Sequence, residues 1–309
     1  MRLATIKCNG RETAGIVTET GVLPIAALNA AKGTAWKEEM FELIRAQQVP
    51  GLTQWYNQGG REEWKTIPGL VPADQVIYAP LYRSPRRIFG IGLNYVEHAG
   101  DIGTAAPTGF PGSFFKMADT LIGPGDSIKL PVLKEAQKTT AEAELGIILG
   151  RDCRDVPEED WESAIVGYTT VLDMTEESIL KGNDYVSGNP RYLCIVKNFP
   201  TFFSFGPQLV TPDEVPDVEK LEVQSVHNGQ VYAKNTVARM THKPARLVSL
   251  HSRIQGWLAG DVLSTGTPRA FHIQDGDTAE CRIVGPDGFA MEPLVNPVVD
   301  LKLHSENIS

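Results

Sequence analysis

The segment 141-AEAELGIILG-150 decides the fold. Its second half, LGIIL, is strongly apolar and ends at Gly150, as a buried β-strand does. If the strand extends back through the acidic residues, Glu142 and Glu144 stand at positions i and i+2, where strand side chains share a face roughly 7 Å apart. In a helix these two side chains would point in nearly opposite directions. The segment therefore predicts a buried strand with two carboxylates on one face.

Two interpretations of this carboxylate pair are open. Carboxylates on one face repel each other unless a cation lies between them, and the divalent ions Mg²⁺ and Mn²⁺ prefer oxygen ligands. Alternatively, both glutamates face water at a sheet edge, where charge discourages aggregation. The pattern Glu-x-Glu alone favours the second interpretation.

A third carboxylate shifts the balance towards a metal. The segment 164-AIVGYTTVLDMT-175 predicts another strand, and Asp173 ends it after the apolar Val171 and Leu172. An aspartate at that position is more often a cap for the next element. The end of a buried strand is also where many enzymes place ligands. Asp173 is therefore a candidate third ligand.

Composition excludes several classes of protein. The 309 residues include 29 Lys and Arg against 38 Asp and Glu, which gives a net charge of −9. That charge disfavours a nucleic-acid partner, which needs a basic footprint for phosphate, and an anionic lipid surface. Apolar residues make up 42% and charged residues 22%, as in ordinary globular proteins.

Cysteine usage and the first residues point to the cytoplasm. Cys8, Cys153, Cys194 and Cys281 form no CxxC pair and no zinc spacing with histidine, which favours reduced thiols. The opening MRLATIKCNGRE becomes polar before a signal-peptide core could form. No apolar run is long enough to span a membrane. We therefore expect a soluble cytoplasmic protein.

The pattern along the chain predicts two domains. Alternating residues and glycines over the first 30 positions predict two or three short strands, and apolar spacing predicts a helix over 36–48. A polar stretch with glycines and prolines, 53–75, is typical of a linker. We therefore predict a small N-terminal domain over 1–78 and a second domain over 79–309. The second domain is predicted to be β-rich, with helices near 157–165 and 243–258.

One histidine stands in a neighbourhood that suits a general base. In 90-GIGLNYVEHAGD-101, His98 and Asp101 are three residues apart and share a face if the segment is a short helix. A carboxylate beside an imidazole fixes its tautomer and raises its basicity. A lone histidine is more often a surface residue. The remaining histidines are interpreted as structural or solvated: His227, His242, His251, His272 and His304.

Two lysines lie within apolar or aromatic runs. Lys116 stands in SFFKMAD and Lys197 in IVKNFPTFF. A lysine usually keeps its charge in water and its stem on apolar surface. Within such a run it hints at a pocket where a positive charge stabilises an enolate or oxyanion. The sequence contains neither the GxSxG motif of serine hydrolases nor a Walker A motif, and GIGLNY lacks the third glycine of the dinucleotide fingerprint.

Taken together and in order, these segments resemble the fumarylacetoacetate hydrolase family from about residue 86 to 300. Each segment alone matches the family only loosely, whereas all of them in the same order form a specific match. The segments that carry the resemblance are GLNYVEHAGD (92–101), FFK (114–116), GPGDSIKLP (123–131), EAELGIILG (142–150), GYTTVLDMT (167–175), VKNF (196–199), FGPQLV (205–210), HNGQV (227–231) and GDVLSTGTP (260–268).

The resemblance implies a fold and a site. The fold would be α+β and β-rich, a mixed β-roll with flanking helices and a small N-terminal α/β domain, in a homodimer. Mg²⁺ or Mn²⁺ would be held by Glu142, Glu144 and Asp173. His98, oriented by Asp101, would activate water. The remaining matches to the family lie near the substrate: Lys116, Lys197 and Thr267.

The resemblance also implies a choice of reactions. The leading expectation is a hydrolase that cleaves a C–C bond in a 1,3-diketo or acylpyruvate-type compound, with the metal holding the enolate. A decarboxylase, isomerase, hydratase or cyclase acting on a 2-oxo compound would share the same site. A non-catalytic relative that binds a metabolite is less favoured, because drift would erode several costly carboxylates together.

The sequence departs from the family pattern beside the site. Glu177 occupies the position of an arginine that tends to meet a substrate carboxylate, and Leu180 replaces a glutamine. An anion there would repel a carboxylate rather than bind it. We therefore predict a substrate that is neutral or bulkier at that end. Whether the loop 100–113 closes as a lid is left open. Further departures are Leu172, Pro200, Ala270 and Phe271.

Overall fold

Two long antiparallel strands form the centre of the fold. The computed structural model describes residues 1–101, 105–180 and 192–303, without the side chains of Asp101 and Leu180. Thr139–Leu149 pairs with Ile165–Glu176, and every residue of both strands is buried. The first of these strands also pairs on its other edge. The predicted buried strand is therefore confirmed, and the interpretation of an exposed sheet edge is wrong.

The strands, in chain order, are β1 (Arg2–Cys8), β2 (Arg11–Thr18), β3 (Gly21–Pro24), β4 (Val71–Pro72), β5 (Ile88–Gly92), β6 (Gly112–Lys116), β7 (Leu121–Ile122), β8 (Ile128–Leu130), β9 (Thr139–Leu149), β10 (Ile165–Glu176), β11 (Phe203–Phe205), β12 (Gln208–Val210), β13 (Glu222–His227), β14 (Gln230–Thr236), β15 (Val262–Ser264), β16 (Phe271–His272), β17 (Thr278–Val284) and β18 (Leu294–Asp300). The helices are α1 (Ile25–Lys32), α2 (Met40–Arg45), α3 (Val49–Trp55), α4 (Arg61–Glu63), α5 (Val96–Asp101), α6 (Glu177–Leu180), α7 (Leu193–Val196) and α8 (Pro244–Ile254).

One large sheet joins the N-terminal strands to the centre. Its order is β4-β3-β2-β1-β12-β10-β9-β15-β5-β6, and β1 meets β12 with Leu3 opposite Leu209. A second sheet has the order β14-β13-β17-β18-β8. The fold is thus a strand-rich mixture of α and β elements with flanking helices. The division near residue 78 stays a prediction, since strands from before it continue the central sheet.

The two faces of β9 contribute to different cores. Leu145 and Ile147 belong to the core cluster that includes Trp257 and Leu263, whereas Ile148 packs with residues of the N-terminal strands such as Leu3. This alternation follows from the period of two along a strand. The face that carries Ile148 is the one that carries Glu142 and Glu144.

The predicted linker over 53–75 is wrong. The stretch folds as helical turns, and Tyr56 and Trp64 are buried in the core. Its polar residues lie on the outside, so its overall composition resembles that of a linker. Gly59, with φ +135°, allows the chain to turn sharply between α3 and α4.

The other helix predictions differ at their ends. The predicted helix over 36–48 is observed as α2, and the one over 243–258 as α8, which begins with Pro244 at its first position. The segment 157–165 forms a 3₁₀ helix over Glu158–Ala164, because Ile165 already pairs in β10. Among the described residues, no helix has the length and apolar character needed to cross a membrane.

Candidate metal-binding active site

The register of β9 and β10 brings three carboxylates together. Asp173 lies directly opposite Glu142, and Val171 lies opposite Glu144. Because side chains alternate between faces, all three carboxylates point to the same side of the hairpin. Each offers an oxygen within 4.8 Å of the others, and all three residues are buried. Asp173 lies inside β10 rather than at its end, so the prediction of a strand-terminal aspartate is wrong.

The strand continues past Asp173 because another buried carboxylate secures its end. Glu176 accepts hydrogen bonds from the backbone N–H groups of Lys138 and Ser178, both at 3.1 Å, and from the Thr139 hydroxyl at 2.7 Å. These bonds extend the pairing to the start of α6.

Glu144 has one oxygen satisfied and one orphaned. Its Oε2 accepts from the Ser264 hydroxyl and from the Gly266 N–H at 2.7 Å. Its Oε1 is buried without a hydrogen-bond partner among the described residues. Burial, reinforced by the charges of Asp173 and Glu142, raises the pKa of Glu144 to about 8. An orphaned oxygen on one of three clustered carboxylates fits a divalent cation with oxygen ligands.

Two ammonium groups lie against the same carboxylates. Lys197 Nζ donates to Asp173 Oδ2 at 2.7 Å and to both oxygens of Glu142 at 3.1 Å. Lys116 Nζ donates to Asp173 Oδ1 and to the Met174 carbonyl. Among the described residues, three carboxylates and two ammonium groups thus share this cluster, and their opposite charges offset one another.

The two lysines differ in their proton affinity. Burial lowers the pKa of Lys116 to about 8, against the opposing attraction of Asp173. Burial alone would also lower the pKa of Lys197, but the charges of Asp173 and Glu142 outweigh it and raise that pKa. Lys197 also stands 4.8 Å from the centre of the Phe114 ring. Lys116 is thus the more easily deprotonated of the two.

The loop between β5 and α5, which leads to His98, is anchored by Asn94. Asn94, fully buried, donates to the carbonyls of His242 at 2.9 Å and Thr265 at 2.7 Å, and so ties this loop to the chain that follows β15. Leu93 takes up a left-handed conformation (φ +59°) where the chain leaves β5. His98 itself is buried on α5. Its contact with Asp101 stays a prediction, because the Asp101 side chain lies outside the described residues.

Gly266 occupies the narrow gap between these two loops. Its φ is +100°, and a Cβ atom there would lie 2.7 Å from the Cβ of Asn94. We expect Gly266→Ala to lower the free energy of unfolding by about 2–4 kcal/mol, because strain and overpacking add, and to weaken metal binding by displacing the N–H that holds Glu144. Denaturant unfolding and calorimetric metal titration measure both effects.

Gly229→Ala is the matched control for this prediction. Gly229 has φ +77° in the β13–β14 turn, with nothing within 4 Å of an added Cβ. It should show only the cost of backbone strain, on the order of 1 kcal/mol, and normal metal binding. Equal losses of stability in the two variants, with metal binding intact in both, would contradict the role given to Gly266.

The remaining predicted site residues are Thr267 and Glu177. Thr267 follows Gly266, is buried, and bonds to the Arg269 carbonyl at 3.3 Å. Glu177 begins α6 and pairs with Lys138 at 2.9 Å. Of the loop 100–113, residues 102–104 lie outside the described residues.

Sequence reasoning missed the residues that hold the carboxylates. The Thr175 hydroxyl donates to Glu142, and Ser264 and Gly266 bind Glu144. Ser264 and Gly266 lie in the quoted segment GDVLSTGTP, but their contact with Glu144 spans 120 and 122 residues. Thr175 offered a local signal, since it stands two residues after Asp173 on the same strand face.

The family follows from a comparison with family models. The model of the fumarylacetoacetate hydrolase C-terminal domain matches residues 87–299. The chain belongs to the fumarylacetoacetate hydrolase family. This family member is 36% identical to a putative hydrolase of Burkholderia cenocepacia (strain HI2424) over 184 residues, 59% of this chain and 61% of the relative. It thus matches less than two thirds of the length of that relative.

Solved structures of the family agree with this fold over nearly the whole chain. Maleylpyruvate hydrolase from Sphingobium sp. SYK-6 superposes with a TM-score of 0.74 at 26% identity, covering 97% of this chain and 100% of that one. Its complex with manganese(II) and pyruvate gives 0.73 at 26% identity, covering 97% and 99%. A 5-carboxymethyl-2-hydroxymuconate delta-isomerase from Mycobacterium smegmatis gives 0.68 at 26% identity, covering 97% and 99%.

Proposed function

We propose that this chain is a divalent-metal-dependent hydrolase that cleaves a C–C bond in a 1,3-diketo or acylpyruvate-type compound. One observation carries the proposal. A buried triad, Glu142, Glu144 and Asp173, contains an orphaned oxygen on Glu144, and two ammonium groups contact its other two carboxylates. Oxygen-only ligands suit Mg²⁺ or Mn²⁺. The manganese and pyruvate named for the similar maleylpyruvate hydrolase structure support this choice of metal and substrate class.

The metal ion, when bound, supplies positive charge that stabilises an enolate leaving group. The protein's own groups do the remaining work. Lys116 and Lys197 place two further positive charges beside Asp173, where they stabilise negative charge that develops on substrate oxygens. Lys116, with its pKa of about 8, is also able to return a proton to the departing carbon.

His98 is proposed as the general base that takes a proton from water. Its imidazole is held by a helix whose entry is fixed through Asn94 to the far side of the site. Asp101 is proposed to set its tautomer, and Thr267 to contact substrate beside Gly266. We further propose that the protein acts as a cytoplasmic homodimer.

A decarboxylase or isomerase on a 2-oxo compound is the second candidate. The similarity to the named isomerase of Mycobacterium smegmatis favours it. Both reactions use the same stabilised enolate, so product analysis separates them. A hydrolase yields two fragments and consumes water, a decarboxylase releases CO₂, and an isomerase conserves mass.

Calorimetric titration of Mn²⁺ and Mg²⁺ into metal-stripped protein tests the proposal. We expect one ion per chain in the wild type and at least a hundredfold weaker binding in Asp173→Asn, since that change removes an anionic ligand. Glu176→Gln is the matched control, because Glu176 is as buried as Asp173 on the same strand and its bonds among the described residues go to groups outside the triad. It should lose stability while it binds metal normally.

Each outcome decides the question. Binding by the wild type and by Glu176→Gln, followed by cleavage of acetylpyruvate into two acids, supports the hydrolase. Metal binding with an isomerised or decarboxylated product moves the assignment to the second candidate. Failure of the wild type to bind either ion, even with acetylpyruvate present, overturns the metal-dependent function.

A further inference from the structure

The metal-bearing face of the β9–β10 hairpin continues beyond the triad as a ladder of polar pairs. Thr140 stands opposite Thr175 and forms the next pair on the same face after Glu142 and Asp173. The Glu177 N–H then donates to the Lys138 carbonyl at 2.9 Å, which extends the pairing by one more step. Because side chains alternate along a strand, Lys138 and Glu177 belong to the same face as the triad.

The last pair of this ladder is an ion pair. Lys138 Nζ lies 2.9 Å from Glu177 Oε2, and the Glu177 side chain is 11% exposed, against 48% for Lys138. The sequence predicts that the negative charge of Glu177 acts on the substrate directly. The structure instead offers a carboxylate already engaged by an ammonium group. The end of the face therefore presents an ammonium donor and a carboxylate acceptor side by side.

The ion pair lies at a defined distance from the triad. Lys138 is four positions before Glu142, which is about 13 Å along an extended strand. Thr140 and Thr175, both buried, form the surface between them. His272 lies opposite Thr140 on β16 and adds a further polar residue. On this face of the hairpin, the described side chains between the triad and the ion pair are thus polar.

We propose that Lys138 and Glu177 form a distal specificity subsite that takes an uncharged hydrogen-bonding group, such as a primary amide, at the far end of a 2-oxo acid. An amide accepts from the Lys138 ammonium through its carbonyl and donates to the Glu177 carboxylate through its NH₂. A second carboxylate in its place meets the negative charge of Glu177 and separates the ion pair. The subsite rests on the proposed function for the end of the substrate that binds at the metal.

The test compares two ligands that differ only at the distal end. Manganese-loaded protein is titrated calorimetrically with 2-oxooctanedioate and with its 8-amide, and each affinity is expressed relative to that of pyruvate, which is too short to reach the ion pair. We expect the wild type to bind the amide at least tenfold more tightly than the dicarboxylate. An unpaired or wrongly charged partner in such a site discriminates strongly between ligands.

Two variants should shift this ratio in opposite directions. Glu177→Gln leaves Lys138 without its carboxylate partner, so the preference should move towards the dicarboxylate by tenfold or more. Lys138→Met leaves Glu177 without this ammonium, so the dicarboxylate should bind still more weakly than in the wild type. Glu222→Gln is the matched control, since Glu222 forms a similar exposed ion pair with Lys234 on another hairpin, and its ratio should equal that of the wild type.

The outcomes separate the subsite from the proposed function. If pyruvate binds but the ratio is the same in the wild type and in both variants, the subsite is wrong and the metal site stands. If no 2-oxo acid binds to the manganese-loaded wild type, the proposed function falls and the subsite falls with it. Opposite shifts in the two variants, with no shift in the control, establish the subsite.

Discussion

Replacing Lys197 by methionine is expected to lower the free energy of unfolding of the metal-free protein by about 3–5 kcal/mol, the usual cost of removing one partner of a buried ion pair. Lys197 is almost fully buried, and its ammonium contacts both Asp173 and Glu142. Methionine keeps the length of the stem but leaves these carboxylates without that charge. Chemical denaturation of metal-stripped protein measures the loss.

The same variant should regain most of this stability when Mn²⁺ is added. A divalent ion supplies the positive charge that the ammonium group supplied, and a ligand that binds only the folded state stabilises it by mass action. We also expect the variant to bind Mn²⁺ more tightly than the wild type, because the ion no longer competes with the ammonium for the oxygens of Glu142 and Asp173. Catalytic turnover should nevertheless fall.

Lys220→Met is the control for this prediction. Lys220 pairs with Asp217 on the surface at 3.2 Å, and its side chain is 69% exposed. An exposed pair of this kind contributes about 0–1 kcal/mol, and Mn²⁺ should not change the result. If Lys197→Met were equally destabilised with and without Mn²⁺, the ammonium and the metal would not share the same carboxylates.

Replacing His98 by alanine is expected to lower kcat by a factor of about 10²–10⁴, the usual contribution of a positioned general base. The affinity for Mn²⁺ should stay close to that of the wild type, since His98 is outside the carboxylate triad. Steady-state kinetics on an acylpyruvate, combined with metal titration, separate these two effects.

His227→Ala is the control for the histidine. His227 pairs with Asp277 on the surface of the second sheet, so its loss should leave kcat unchanged. A less than fivefold decrease in kcat for His98→Ala would contradict the assignment of the general base. Loss of both metal binding and turnover would instead show that His98 supports the structure of the site.

The sequence predicted those features of the site that depend on local backbone geometry. Glu142 and Glu144 share a face because a strand alternates with a period of two, and the apolar run after them identified the strand. The position of Asp173 opposite Glu142 depends on the register between two strands. The resemblance to a family supplied that relation, and the structure confirms that the three carboxylates meet.

The rest depended on contacts between distant parts of the chain. The bonds from Ser264 and Gly266 to Glu144 join the end of β15 to β9, and no local sequence pattern predicts them. Over 53–75 the polar composition predicts a linker, but the buried side chains of Tyr56 and Trp64 anchor this stretch in the core. The pairing of Glu177 with Lys138 depends on the register of the hairpin, which the local sequence does not give.

The central position of β9 also limits how this protein can diverge. The strand is paired on both edges and contributes side chains to two cores, so its backbone cannot shift without disturbing most of the fold. Mutations that move the triad are therefore purged through loss of folding before they can be tested for new chemistry. Change in substrate choice is then left to the loops and to the end of the hairpin, where Glu177 begins α6, while the carboxylates stay fixed.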